Sequence, residues 1–173
     1  QVISGKLALP SGIAVVSDGA KDTIYVADLF AYRTVDGTTG EVTEVSRMHA
    51  DGTTLEYPMS ATAKGDTVLL SSWFTGTVQV VDRKTGKTRE MLHEFKAPHD
   101  AVMLGDGSIL VNELGSKSLI RATGEHGKDR TAVIGGLEGP VGMASAGKDS
   151  VYVTEAYAGV VSKIETNGTR TVV

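Results

Sequence analysis

The sequence predicts an all-β chain built of repeated four-stranded sheets, and three observations carry that prediction. All four prolines, Pro10, Pro58, Pro98 and Pro140, stand at one phase of a recurring phrase, 48, 40 and 42 residues apart. Each is followed by an apolar run, a glycine-bearing turn and a second apolar run. The phrase is fullest over 97–122, APHDAVMLGDGSILVNELGSKSLIRA, where Gly105-Asp106-Gly107 is a strong hairpin signal between apolar segments. Finally, no segment of about ten or more residues carries an apolar stripe at helical spacing.

Taken in order, the first unit supplies strands over 13–16, 24–29, 32–36 and 42–48, with Asp36-Gly37-Thr38-Thr39-Gly40 as the turn before the last. The second reads as strands over 60–63, 68–72, 77–82 and 88–95. The third gives 101–104, 109–113, 118–121 and 131–134, and the fourth 141–144, 151–155, 160–164 and 169–173. The units divide the chain into 8–50, 51–96, 97–138 and 139–173, and 1–7 reads as the outer strand of a preceding unit. A repeat of this length with four short strands and glycine turns is the signature of a β-propeller blade, a small sheet that buries its faces by stacking on its neighbours. A β-sandwich is the alternative, and the regular phase of the prolines favours the propeller.

Composition bounds the function. Of 173 residues 40% are hydrophobic and 22% charged, which suits a globular chain. No apolar run approaches the roughly 18 residues of a membrane span. A net charge of -4 with dispersed lysine and arginine argues against a nucleic-acid partner. With no cysteine there is no disulfide, thiolate metal site or cysteine nucleophile. Phosphate loops, nucleophile elbows and clustered zinc-ligand motifs do not occur either.

The phrases Ile24-Tyr25-Val26-Ala27-Asp28 and Val151-Tyr152-Val153-Thr154-Glu155, each placed after proline, apolar run and glycine turn, resemble the repeats of the NHL, SMP-30 (gluconolactonase) and streptogramin-lyase-like propeller superfamily. Asn112-Glu113-Leu114-Gly115-Ser116 and Thr154-Glu155-Ala156-Tyr157 look especially like streptogramin-lyase repeats. The resemblance covers essentially the whole chain and implies a ring of six or seven blades, of which four are present. Three arrangements answer to that number: part of a larger ring, a four-bladed ring, or copies that associate to complete one. The first and third are favoured, because an open array leaves apolar faces and strand edges bare. Residues 1–4 are then expected to pair with 169–173 or with another chain. The resemblance and the missing cysteines together suggest a periplasmic or secreted location.

In an antiparallel hairpin the start of the first strand and the end of the second share one edge. With the first strand innermost, that edge rims the mouth of the axial channel, and Ser11, Asp28, Ser60, Ser72, Trp73, His99, Asp100, Asn112, Glu113, Thr154 and Glu155 fall there. Asp28, Asn112, Glu113 and Glu155 offer oxygen donors suited to calcium or magnesium, with zinc admitted by a histidine. The SMP-30-like lactonases hold a divalent ion in this place through carboxylates and an asparagine from different blades, which the resemblance extends to these four residues in kind. The same side chains also suit capping of turn amides. His99, Asp100 and Glu113 are the candidates for moving a proton, with neighbouring carboxylates expected to raise the His99 pKa. His49, His93 and His126 fall in outer strands or turns. Trp73-Phe74, Phe30-Ala31-Tyr32 and Tyr157 follow second strands and form either an aromatic collar above the channel, with Trp73 and Tyr157 as ligand contacts, or packing between blades.

Two function classes follow. One is a binding module that holds a small molecule, carbohydrate or protein at the channel mouth. The other is a lactonase or lyase in which a channel-mouth cation polarises a carbonyl while His99, Asp100 or Glu113 transfers a proton. The binding module is favoured, because no complete catalytic constellation is written in the chain.

Overall fold

The computed structural model describes residues 5–47 and 55–173 and contains four antiparallel sheets, each of four strands in chain order. The first holds β1 (Gly12–Asp18), β2 (Lys21–Asp28), β3 (Ala31–Asp36) and β4 (Val42–Arg47). The second holds β5 (Ser60–Lys64), β6 (Thr67–Ser72), β7 (Thr77–Asp82) and β8 (Thr88–Leu92). In the third are β9 (Pro98–Met103), β10 (Ile109–Glu113), β11 (Ser118–Thr123) and β12 (Asp129–Ile134), and in the fourth β13 (Pro140–Ser145), β14 (Ser150–Glu155), β15 (Val160–Glu165) and β16 (Arg170–Val172). These are the blades of a β-propeller. No helix among the described residues is long and apolar enough to cross a membrane. The expected pairing of residues 1–4 and the position of His49 lie outside the described residues.

First strands face the axis: β1 packs on β5, β5 on β9 and β9 on β13. The approach is close, since a Cβ on Gly12 would lie 2.5 Å from the Ser60 Cα. Pro98 and Pro140 begin β9 and β13, while Pro10 and Pro58 stand two residues before β1 and β5. A proline suits this place because it closes no ladder hydrogen bond at a strand's beginning.

Packing follows from strand alternation. In β6, Val68 and Leu70 join Tyr25, Ala27 and Tyr32 between blades one and two, whereas Leu69 turns the other way to meet Ala101, Ile109 and Val111 of blade three. In β10, Leu110 leaves those neighbours and packs with Met143, Val151 and Val153 of blade four. Each core is therefore an interface between successive blades, and the continuous apolar runs of β6 and β10 reflect burial on both faces. On the end blades alternation reappears: Val151 and Val153 are buried while Tyr152 is 40% exposed, and Ile13 and Val15 on β1 are 64% and 54% exposed.

All sixteen expected strands are present, with several ends shifted by one to three residues. The fourth strand of blade two stops at Leu92 rather than 95, because Glu94 takes a φ of 64° and the Phe95 amide turns to the Gly76 carbonyl. A 3-10 turn over Glu125–Gly127, unforeseen in the sequence, precedes β12.

Replacing Leu110, fully buried between blades three and four, with alanine is expected to cost about 2–5 kcal/mol of unfolding free energy. Tyr152→Thr on the uncovered face of the next blade should cost under about 1 kcal/mol. Urea unfolding of the two variants measures the contrast.

Candidate functional site

The carboxylates at the ends of the second strands do one shared job. In blade one the Asp28 oxygens accept hydrogen bonds from the amides of Ala8, at 3.0 Å, and Leu9, at 2.6 Å, and from Arg33 Nε, also at 2.6 Å. In blade three Glu113 Oε1 accepts from the Lys96 amide at 2.9 Å, and its other oxygen from the Ser116 hydroxyl. In blade four Glu155 Oε2 accepts from the Glu138 amide at 2.8 Å, while Oε1 meets Ser162 and Arg170. Ala8, Lys96 and Glu138 all stand two residues before the blade's proline. Blade two has Ser72 at the carboxylate position, and there Gln79 Oε1 accepts from the Glu56 amide at 3.0 Å, again two before the proline. The carboxylates and this carboxamide thus lock the segment leading into each blade against the sheet it enters. Charge-assisted bonds to amides are among the stronger ones available.

The same segment carries backbone strain. Tyr57, Ala97 and Gly139, each directly before a proline, have φ of 45°, 53° and 70°. For the first two this is the left-handed region that side chains disfavour, which the neighbouring lock helps to hold.

The expected cation ligands therefore do not gather. Asp28, Glu113 and Glu155 direct their oxygens to amides of the segments leading into their blades and to hydroxyls or guanidiniums within them. Asn112 Oδ1 accepts from the Asp100 amide at 2.6 Å. Among the described residues no group of three or more His, Asp or Glu side chains is placed to hold a metal ion. The oxygens of Asp28, Glu113 and Glu155 are divided among three separate locks, and that of Asn112 meets the Asp100 amide. Burial works to raise the Glu155 pKa, but hydrogen bonds from Ser162 and the Glu138 amide, with Arg170 beside it, prevail and hold it low.

His99 and Asp100 part company, as successive strand residues must. Asp100 lies between three blades: Oδ1 accepts from Ser60 Oγ at 2.9 Å and from the Ala101 amide at 2.8 Å, and Oδ2 from the Met143 amide at 2.9 Å. Burial is the larger influence and pushes its carboxyl up to about 6 despite those donors. His99 is half-buried, with its ring 6.2 Å from that of Trp73. Contrary to the sequence expectation its pKa is lowered, because burial outweighs a hydrogen bond with the Val141 backbone. The hydroxyls of Ser71 and Ser72 and the Asn112 Nδ2 are buried here without a protein partner. Ser71 lies opposite Ser60, and Asn112 opposite Asp100, so polar groups line the axial ends of blades two and three.

The aromatic side chains form a continuous surface. Phe30 meets Tyr57 at a ring separation of 6.1 Å, Tyr57 meets Phe74 at 6.3 Å, Phe74 meets Trp73 at 5.1 Å, and Trp73 leads on to His99. These are edge-to-face geometries, the favoured arrangement of aromatic pairs. Phe30, Trp73 and Phe74 are exposed, and Leu29, Phe30, Tyr57 and Phe74 line an apolar hollow of ≈ 320 Å³. Tyr157 is exposed on blade four, its ring against Gly139. Tyr32, expected in the collar, instead lies in the core stacked on Tyr25. Tyr57 and Gln79 escaped the sequence reading. A glutamine inside the apolar run 77–82 is the signal that marks the second, whereas Tyr57 is marked only by preceding a proline.

No family model and no curated protein sequence matches the chain. Solved structures do. Streptogramin B lyase is similar at 13% identity and a TM-score of 0.70 over 94% of this chain and 53% of that one. Hydrazine synthase of Kuenenia stuttgartiensis gives 17% identity and a TM-score of 0.72 over 98% and 51%. The nidogen/laminin complex gives 14% and 0.72 over 96% and 63%. The chain thus spans about half the length of the first two, and the likeness at these identities is one of propeller fold.

The Asp100 carboxyl generates a pH prediction. Its folded pKa, about 6, lies above the ordinary carboxyl value, so the folded protein binds this proton more tightly than the unfolded chain does. That contribution to stability is fully present below about pH 4 and is lost as pH rises through about 6. Wild-type stability relative to Asp100→Asn should therefore fall by on the order of 2–3 kcal/mol between about pH 4 and 7. Urea unfolding of both proteins across that range measures it, and parallel profiles would assign the proton elsewhere.

Proposed function

We propose that the chain is a propeller binding module whose channel-mouth face docks a partner through an apolar or aromatic group. One observation carries this reading: an unbroken run of rings, Phe30, Tyr57, Phe74, Trp73 and His99, that crosses three blades and leaves three of its members open to solvent. Rings held edge to face lose little conformational freedom when a partner arrives, which is why aromatic residues dominate binding hot spots. The half-buried His99 imidazole at the end of the run adds one polar group to an otherwise apolar contact face. A chain of similar fold occurs in the nidogen/laminin complex, an assembly of two proteins. Lactonase or lyase chemistry draws less support, since Asp100 and Glu113, two of its proton carriers, are committed to hydrogen bonds that join or lock blades.

Trp73 is the single tryptophan, so its emission reports on the mouth directly. Titration with phenyl β-glucoside or N-acetylphenylalanine amide followed by quenching or spectral shift of Trp73 emission is expected to give saturable changes. Phe74→Ala or Tyr57→Ala should weaken them about tenfold, and Tyr152→Thr should leave them unaltered. Linear, unsaturated responses, or equal affinity in Phe74→Ala, would sink the reading.

A further inference from the structure

A second surface lies away from the mouth. The outer strand of blade two, β8, forms one wall of a groove of ≈ 930 Å³, and His126, Lys128 and Arg130 of blade three form the other. β8 is the last strand of its sheet, so its outward amides and carbonyls have no ladder partner among the described residues. The groove follows the strand through Lys87, Thr88, Arg89, Glu90 and Met91, and continues past it to His93 and Glu94. Strand edges of this kind pair readily with an extended peptide.

The opposite wall is fixed. Arg130 donates Nε to the Gly127 carbonyl at 3.1 Å and Nη1 to the Glu94 carbonyl at 3.0 Å, and reaches the His93 carbonyl as well. Its guanidinium stacks 3.9 Å from the Phe95 ring centre. Gly127 sits so close to Leu92 that a Cβ there would lie 2.6 Å from the leucine Cδ2. The His126 amide donates to the Glu90 carboxylate. Arg130 thus ties blade three to the end of β8, and it does so through carbonyls, which leave its charge uncompensated.

Charge selects the occupant. Four cations, Lys87, Arg89, Lys128 and Arg130, line the groove with two carboxylates, Glu90 and Glu94. Arg89 is paired with Asp82, whereas Lys87, Lys128 and Arg130 form no ion pair among the described residues. This is a positive strip on a chain whose net charge is -4. We propose that the groove along β8 docks an extended acidic peptide, which adds a fifth strand to blade two and points alternate carboxylates at Lys87, Lys128 and Arg130. Alternate residues of a strand share a face, so a segment of about five to seven residues, at about 3.3 Å each, spans the groove with its acidic side chains on one side. Backbone pairing supplies affinity and the fixed cations supply selection.

The test uses a fluorescein-labelled heptapeptide of alternating glutamate and valine, titrated against the whole chain by fluorescence anisotropy. Saturable binding is expected, weakening about tenfold or more as salt rises from about 50 to 300 mM. Lys87→Glu with Lys128→Glu should cost a further tenfold or so while leaving the urea midpoint and the Trp73 response intact, since both side chains are exposed. The same peptide N-methylated at alternate amides keeps its charge and loses strand pairing, and it should bind about tenfold more weakly. Equal binding of the methylated peptide would overturn strand addition. Tighter binding of a sulfated oligosaccharide of matched charge would overturn the peptide as occupant, and failure of the heptapeptide to bind at low salt would overturn the site.

Discussion

A sheet apolar on both faces cannot stand in water alone, and that constraint organises this molecule. β6 and β10 bury every residue they contain, the first between blades one and three and the second between blades two and four. Burying both faces removes the option of a polar side, so the strands lose the alternation that marks ordinary half-exposed sheets. Polar groups then gather mainly at strand ends and outer edges, with a few, such as Gln79, buried in hydrogen bonds. The channel mouth and the β8 groove are the two places where that displacement concentrates chemistry.

The repeat was legible because proline and glycine punctuate it at a fixed phase, and their backbone restrictions hold whatever the tertiary surroundings are. The mouth was legible as a place, since hairpin geometry alone brings the proline side and the ends of the second strands together. What each side chain does there was not. Asp28, Glu113 and Glu155 serve equally well, by type, as ligands of a hard cation or as acceptors for amides. The choice depends on which amides lie two residues before a proline some 17 to 20 positions earlier in the chain. Likewise Tyr32 and Phe30 look alike in sequence, but strand alternation sends the first into the core beside Tyr25 and leaves the second at a turn.

Asp100 illustrates how one residue type takes different roles by position. Its carboxyl makes contacts with the blades on both sides, while the carboxylates of the locks bond only within their blades and the segments that lead into them. The electrostatic consequence is opposite in sign. Glu155 has hydroxyl, amide and guanidinium donors and stays ionised readily, whereas Asp100 has only neutral donors against deep burial and holds its proton longer.

The locks have a bearing on how such a ring can change over generations. Every donor and acceptor of a lock comes from one blade and the few residues that lead into it, so a duplicated or transplanted blade carries its own fastening with it. Blade two shows that the fastening is replaceable in kind: a serine occupies the acidic position, and a glutamine from the adjoining strand reaches the equivalent amide. A repeat of this kind can diverge freely over its exposed rings and outer edges, because the feature that seats it asks nothing of its neighbours.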